Sequence, residues 1–163
     1  MNMLQNIAIA FVGIGMSVTS ASAATIVSPP LGTPISATGT LTFSRPELPG
    51  NPSFTCSVGL DGSRTSSTTI TFVSGAIWGE DPLCEGIFLD IDLPLAMTAT
   101  SSTKLRIPSL QINTPVGLCL WNNVDFNWSA PTATLAGPRP PAAYVLTLSG
   151  GTLTLNPAIT IVP

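Results

Sequence analysis

Histidine is missing altogether and charge of either sign is scarce. Lys and Arg number five, Asp and Glu eight, and charged residues make up 8% of the 163 residues. An average soluble protein carries about 25%. Without histidine there is no Ser-His-Asp triad, no imidazole general base and no imidazole metal ligand. The formal charge of −3, with so few cations, leaves no basic surface to neutralise phosphates, which excludes an electrostatic nucleic-acid binder. Neither a Walker loop nor a dinucleotide fingerprint occurs, and no repeat of solenoid length stands out. These absences weaken most enzyme readings; no cofactor is expected, and the length favours a single domain.

Long apolar runs are also lacking. The longest, Ile7 to Val18, is shorter than the ~20 residues a membrane-spanning helix needs. It follows a short polar start and precedes Thr19-Ser20-Ala21-Ser22-Ala23. Ala21 and Ala23 form the small-x-small pattern of a signal-peptidase site, so residues 1–23 read as a signal peptide cleaved after Ala23. The leader carries no Lys or Arg, which is atypical. No second apolar stretch follows, so the mature chain, residues 24–163, is expected to be secreted or attached to the cell surface without a transmembrane segment.

What the chain has in quantity is Gly (14), Pro (16), Ser and Thr. Residues 24–52 form a Pro-rich arm within which Gly39 to Phe43 alternates as a half-buried strand does. Phe54 to Leu60 reads as a strand ending in an Asp61-Gly62 turn. Ser67 to Trp78 places Ile70 and Phe72 on one face and Thr69 and Thr71 on the other. Leu95 to Thr100 and Lys104 to Ile112 follow. In the latter, apolar parity shifts between Ile107 and Leu110, which predicts a bulge or edge position at Pro108. Val116 to Leu120 and Val124 to Trp128 are further strands. Ala130 to Ala143 reads as a loop. Tyr144 to Leu148, Gly151 to Leu155 and Ala158 to Val162 close the chain, with turns at Gly150-Gly151 and Asn156-Pro157. About nine or ten short strands without a helix predict an all-β fold, an antiparallel β-sandwich or a Greek-key barrel.

Three cysteines, Cys56, Cys84 and Cys119, are disulfide material in an exported protein. Chain entropy does not choose among the three pairings, which differ by less than ~1 kcal/mol. Cys56–Cys84 is favoured because each borders a predicted strand end, leaving Cys119 unpaired or linked to another molecule. Glu80, Asp81, Glu85, Asp90 and Asp92 concentrate the acid. Oxygen-rich groups of this kind suit calcium, serve as paired carboxylates in glycosidases, or form a solvated rim. Most aromatics of the second half (Phe126, Trp128 and Tyr144 among them) read as core. Trp78, beside Gly79, and Trp121, beside Asn122-Asn123, fall at predicted strand ends and are candidates for a surface that binds apolar material or sugar.

Several ordered segments carry a family resemblance. They are Ser36-Ala37-Thr38-Gly39, Phe54-Thr55-Cys56-Ser57-Val58, Ser67 to Gly75 followed by Cys84, and Leu93-Pro94-Leu95 leading into the Thr-rich Ala96 to Ser101. Cys119 comes next, then Leu148-Ser149-Gly150-Gly151-Thr152-Leu153 and Asn156 to Pro163. In this order they resemble the small secreted bacterial proteins called activators of alkane oxidation. The chain departs from that pattern in lacking a fourth cysteine near Leu148 and in having Leu95 where a Trp is expected. The resemblance implies an exported, non-enzymatic protein of the cell surface or biofilm matrix, associated with hydrophobic growth substrates. Partners would then be matrix or cell-surface components, hydrophobic surfaces or further copies of the chain. Two alternatives accompany it. One is a filament subunit that donates a strand, from Ala24 to Ser36 or from Ala158 to Val162, to a neighbour's sheet. The other is a small extracellular hydrolase using the acids between Glu80 and Asp92.

Overall fold

Alternation of apolar residues with Thr and Ser builds eleven strands among the residues that the computed structural model describes, 24–46, 48–84, 89–114, 117–141 and 146–163. The expected signal segment lies outside them. The strands are β1 (Thr25–Ser28), β2 (Pro34–Ser44), β3 (Ser53–Arg64), β4 (Thr69–Trp78), β5 (Asp90–Ile91), β6 (Leu95–Ser101), β7 (Lys104–Thr114), β8 (Gly117–Ser129), β9 (Thr132–Leu135), β10 (Thr147–Asn156) and β11 (Thr160–Val162). A single 3-10 turn, Pro82–Cys84, lies between β4 and β5.

The larger sheet runs β5-β7-β6-β4-β3-β2-β10-β9-β8, and β8 returns to pair with β7. With β5 set aside, each strand bonds to its neighbours in sequence and β10 closes on β2, so eight strands form an up-and-down antiparallel barrel. The all-β antiparallel expectation holds, and so does a barrel as one of its two forms. The sandwich and the Greek-key connectivity are corrected: the large sheet closes on itself, and among the described residues its barrel strands follow one another without a crossover.

Glycines at two expected turns lie within strands instead. Gly62, taken as part of a turn, lies inside β3, where a Cβ would collide with the Thr71 carbonyl of β4. Gly150-Gly151, also taken as a turn, lies inside β10 at a bulge opposite Thr42. In both places glycine lets strands bend and approach closely around a small barrel. The loop expected over Ala130 to Ala143 contains β9, whose Ala133 and Leu135 point inward.

The parity shift expected at Pro108 is present, but without a change of register. Ile107 pairs with Val124 and Ser109 with Asn122, so Pro108 stands opposite Asn123, whose φ of 53° is in the left-handed region. Both strands change face at the same level. Leu105, Ile107, Leu110 and Ile112 of β7, and Cys119, Trp121, Val124 and Phe126 of β8, therefore all reach the interior. The filling is made of side chains: Phe43, Phe72, Trp121 and Phe126 are fully buried, and Phe43 lies 5.5 Å from Phe54 and 6.0 Å from Trp121 between ring centroids.

A separate two-stranded sheet pairs β1, near the start of the described residues, with β11, near their end. Ala24, Ile26, Ile159 and Ile161 are buried in the common core, and the Ile26 amide donates to the Ser67 carbonyl at 2.6 Å. Both segments considered as strand donors are therefore paired within their own molecule. The opposite end of the barrel carries the connection from β4 to β5, where Cys84 is joined to Cys56 of β3 with their Cα atoms 5.3 Å apart.

Candidate functional site

The candidate site residues separate into groups that the fold does not bring together. The acids are the first. Glu80 and Asp92 are exposed, Asp90 is exposed on β5, and Glu85 lies outside the described residues. Asp81 is used locally: its Oδ1 accepts the Leu83 amide at 2.9 Å, capping the Pro82–Cys84 turn. Among the described residues no three acidic or sulfur-bearing side chains converge to hold a cation. The four described acids of the expected calcium set, Glu80, Asp81, Asp90 and Asp92, do not by themselves close around a point.

Cys119 is a free thiol facing the barrel interior. Burial pushes its pKa up, against a smaller opposing hydrogen bond with the Leu146 backbone and a distant attraction from Arg45. A buried, protonated thiol is a poor nucleophile, and Cys119 is unpaired within the chain, one of the two states expected for it. Trp121 is likewise interior, not a surface aromatic. Asn122-Asn123 is not a strand end but the point where β8 changes face, and the residue before it turns inward. Its Nε1 is buried without an acceptor, a cost of about 1–3 kcal/mol offset by the ring's apolar contacts. Tyr144 lies outside the described residues.

Trp78 does reach the surface, at 49% exposure. It ends β4 on the outer wall, and its six-membered ring lies over Gly59, whose missing side chain leaves room for it: a Cβ there would stand 3.0 Å from Cη2. Beside the indole runs an open groove of about 400 Å³ across β2, β3 and β4, lined by Thr38, Gly59, Asp61, Ser74, Ala76 and Trp78 among others. Elsewhere on the wall hydroxyls bond each other across strands, Thr42 with Thr55 at 2.8 Å, Thr65 with Thr71 at 2.9 Å and Thr69 with Thr98 at 3.4 Å. The side chains of Thr38, Asp61 and Ser74 take no part in that pairing.

The ion cluster was not visible in the sequence. Asp125 of β8 accepts from Arg106 of β7 through both oxygens, at 2.6 and 3.2 Å, and from Arg139 Nη2 at 2.9 Å. Arg106 and Asp125 are directly cross-strand, so only the register of the β7–β8 hairpin reveals them. The hydrogen bond from Arg106 holds the Asp125 carboxyl below its usual range, against a smaller desolvation effect. The cluster ties the segment after β9 to the wall.

The remaining surface has a simple distribution. Large exposed apolar side chains gather at the barrel ends. Val27, Leu31 and Val162 lie at the β1–β11 end, and Leu48, Leu83, Leu118 and Trp78 at or beside the disulfide end; among the described residues Val73 alone stands mid-wall. The β1–β11 end is held in shape by Arg64, a buried cation whose Nη1 donates to the Pro29 carbonyl at 2.7 Å and whose Nε donates to the Ser66 carbonyl at 3.0 Å. Its own backbone bonds Gly32 and Thr33. The turn that presents Leu31 is thereby fixed.

A family model described as alkane oxidation protein activator PraA/PraB-like covers residues 1–163. No curated protein and no solved structure matches the chain.

Proposed function

The chain belongs to the family of PraA/PraB-like alkane oxidation protein activators, and from that premise we propose that it is an exported, non-enzymatic protein of the cell surface or biofilm matrix that contacts hydrophobic material through the ends of its barrel. The observation that carries this reading is the contrast between wall and ends. The wall is rich in hydroxyls, many bonded to one another, and poor in charge. Val27, Leu31 and Val162 stand exposed together at the β1–β11 end, with Val27 at 51% and Leu31 at 62%. Exposed apolar groups that the fold keeps in place mark contact surfaces rather than packing errors. Because Arg64 fixes the turn bearing Leu31, adsorption costs little ordering entropy.

With net charge of only −3, attachment to an apolar phase would be insensitive to salt. The test has two parts. Fractionation of the producing cells into cytoplasm, periplasm, surface and medium is expected to place the protein at the surface or in the medium. Purified protein is expected to coat hexadecane droplets equally at low and high salt, and the combined Val27→Ser, Leu31→Ser, Val162→Ser variant to coat them several-fold less. Retention in the cytoplasm, or equal coating by wild type and variant, overturns the reading.

A further inference from the structure

We infer that the groove beside Trp78 is a saccharide-binding site that takes neutral sugar units of a glycan chain. The inference does not rest on the barrel-end reading above, with which it shares Trp78 alone. Three features of the groove converge. The first is an aromatic ring exposed to solvent yet held in place: the indole of Trp78 rests against the glycine gap at Gly59, where a Cβ would approach Cη2 and Cζ3 at 3.0 and 3.2 Å. A fixed aromatic ring offers the C–H face of a sugar an apolar platform at little entropic cost.

The second is a set of hydrogen-bonding groups with spare capacity. Thr38, Asp61 and Ser74 line the same space, and their side chains are not engaged in the cross-strand pairing that uses hydroxyls elsewhere on the wall. An ionised carboxylate accepts from two or more hydroxyls, and Thr and Ser both donate and accept. The third is shape. Gly59 and Ala76 keep the floor low between Thr38 and Trp78, giving an open trough of about 400 Å³, at the small end of the range for small-molecule clefts.

Other ligand classes fit less well. No Lys or Arg lines the groove, so phosphate and other anionic groups find no counter-charge. A hydrocarbon chain would strip water from Asp61, Thr38 and Ser74 without replacing their hydrogen bonds. A sugar satisfies both kinds of surface at once, and an open trough admits a unit inside a longer chain as readily as a terminal one.

The test is calorimetric titration of the full mature protein with neutral oligosaccharides: gluco-, manno- and galacto-oligomers of several units, in both anomeric linkages. Binding to at least one series is expected, unchanged between low and high salt. Trp78→Ala is expected to weaken it on the order of tenfold or more, Trp78→Phe to retain part of it, and Asp61→Asn to weaken it without altering the thermal midpoint. Because Asp61 is exposed, its variant keeps the test valid should Trp78→Ala perturb the fold. No binding to any series, or binding indifferent to both positions, overturns the inference. So does a loss in Trp78→Ala of hexadecane coating alone, which would make the groove an apolar contact. None of these results bears on whether the β1–β11 end adsorbs to hydrocarbon.

Discussion

Removing the Cys56–Cys84 bridge should lower stability by an amount that the connectivity sets. The bridge joins positions 28 apart in sequence. In the chain-entropy model, closing a loop of that length restricts the unfolded chain by about 3.5 kcal/mol. For a domain of roughly 140 residues the unfolding entropy converts this to a fall in Tm of about 12 °C. Both half-cystines are fully buried, and the Gly79 backbone passes so near that a Cβ there would stand 3.2 Å from Cys84 Sγ. The connection is therefore seated against β3, not merely tethered to it. The assay is thermal unfolding of the Cys56→Ala, Cys84→Ala double variant by far-UV circular dichroism, beside wild type with and without reductant. Reduced wild type and the double variant should melt at similar temperatures, both near the expected depression. A fall under about 3 °C in both would mean that the loop is already confined when unfolded, and the entropic reasoning would fail.

Three further outcomes are expected. Gly39→Ala should cost about 1–3 kcal/mol in urea unfolding, because its Cβ would run into the Thr152 carbonyl of β10, a backbone atom that cannot step aside. Gly137→Ala, where open space surrounds the position but φ is +159°, should cost less. Arg64→Met should leave the Pro29 and Ser66 carbonyls without their donor, at about 1–3 kcal/mol each, and hydrogen exchange should quicken in β1 and β11 before the barrel strands. Asp125 has its carboxyl pKa lowered in the fold, so its contribution is complete above the ordinary carboxylate range and is lost as pH falls through the depressed value. Asp125→Asn should thus flatten the acid side of the stability profile, and an unchanged slope would contradict the assignment.

Strand positions were legible wherever apolar and hydroxyl residues alternate without interruption. Ser67 to Trp78 and Val124 to Trp128 match the inward sets of β4 and β8, and the parity shift near Pro108 marks a real change of face. Glycine and proline were harder to read. The same Asp61-Gly62 pair that makes a hairpin turn in one setting lets a strand lie close to its neighbour in another, and only the partner, Thr71, decides between them. Barrel and sandwich use the same alternation, so closure depended on the long-range pairing of β10 with β2 that no local pattern states. Of the site, Trp78 was found by its position beside Gly79. Trp121 was misplaced because Asn122-Asn123 looks like a turn. Asp61, now part of the groove, had been assigned to a turn and carried no signal of its own.

Closure also bears on how such a molecule can associate. A charge-poor, Thr-rich sheet with free edges would pair with other copies edge to edge. Here the barrel joins its first and last strands through β10 and β2, and the two segments best suited to donation, β1 and β11, pair with each other. Transferring β1 to a neighbour would require breaking that pairing, exposing Ile26 and withdrawing the Pro29 carbonyl from Arg64. Adhesion through side chains on a closed barrel requires none of these. The low charge that would make an open sheet prone to pair edge to edge finds no free barrel edge here. If Arg64→Met converts the monomer into ordered filaments while wild type under the same conditions stays monomeric, the Arg64 clamp is what separates the two modes of association. If it yields only a less stable monomer, closure of the barrel alone is sufficient to keep them apart.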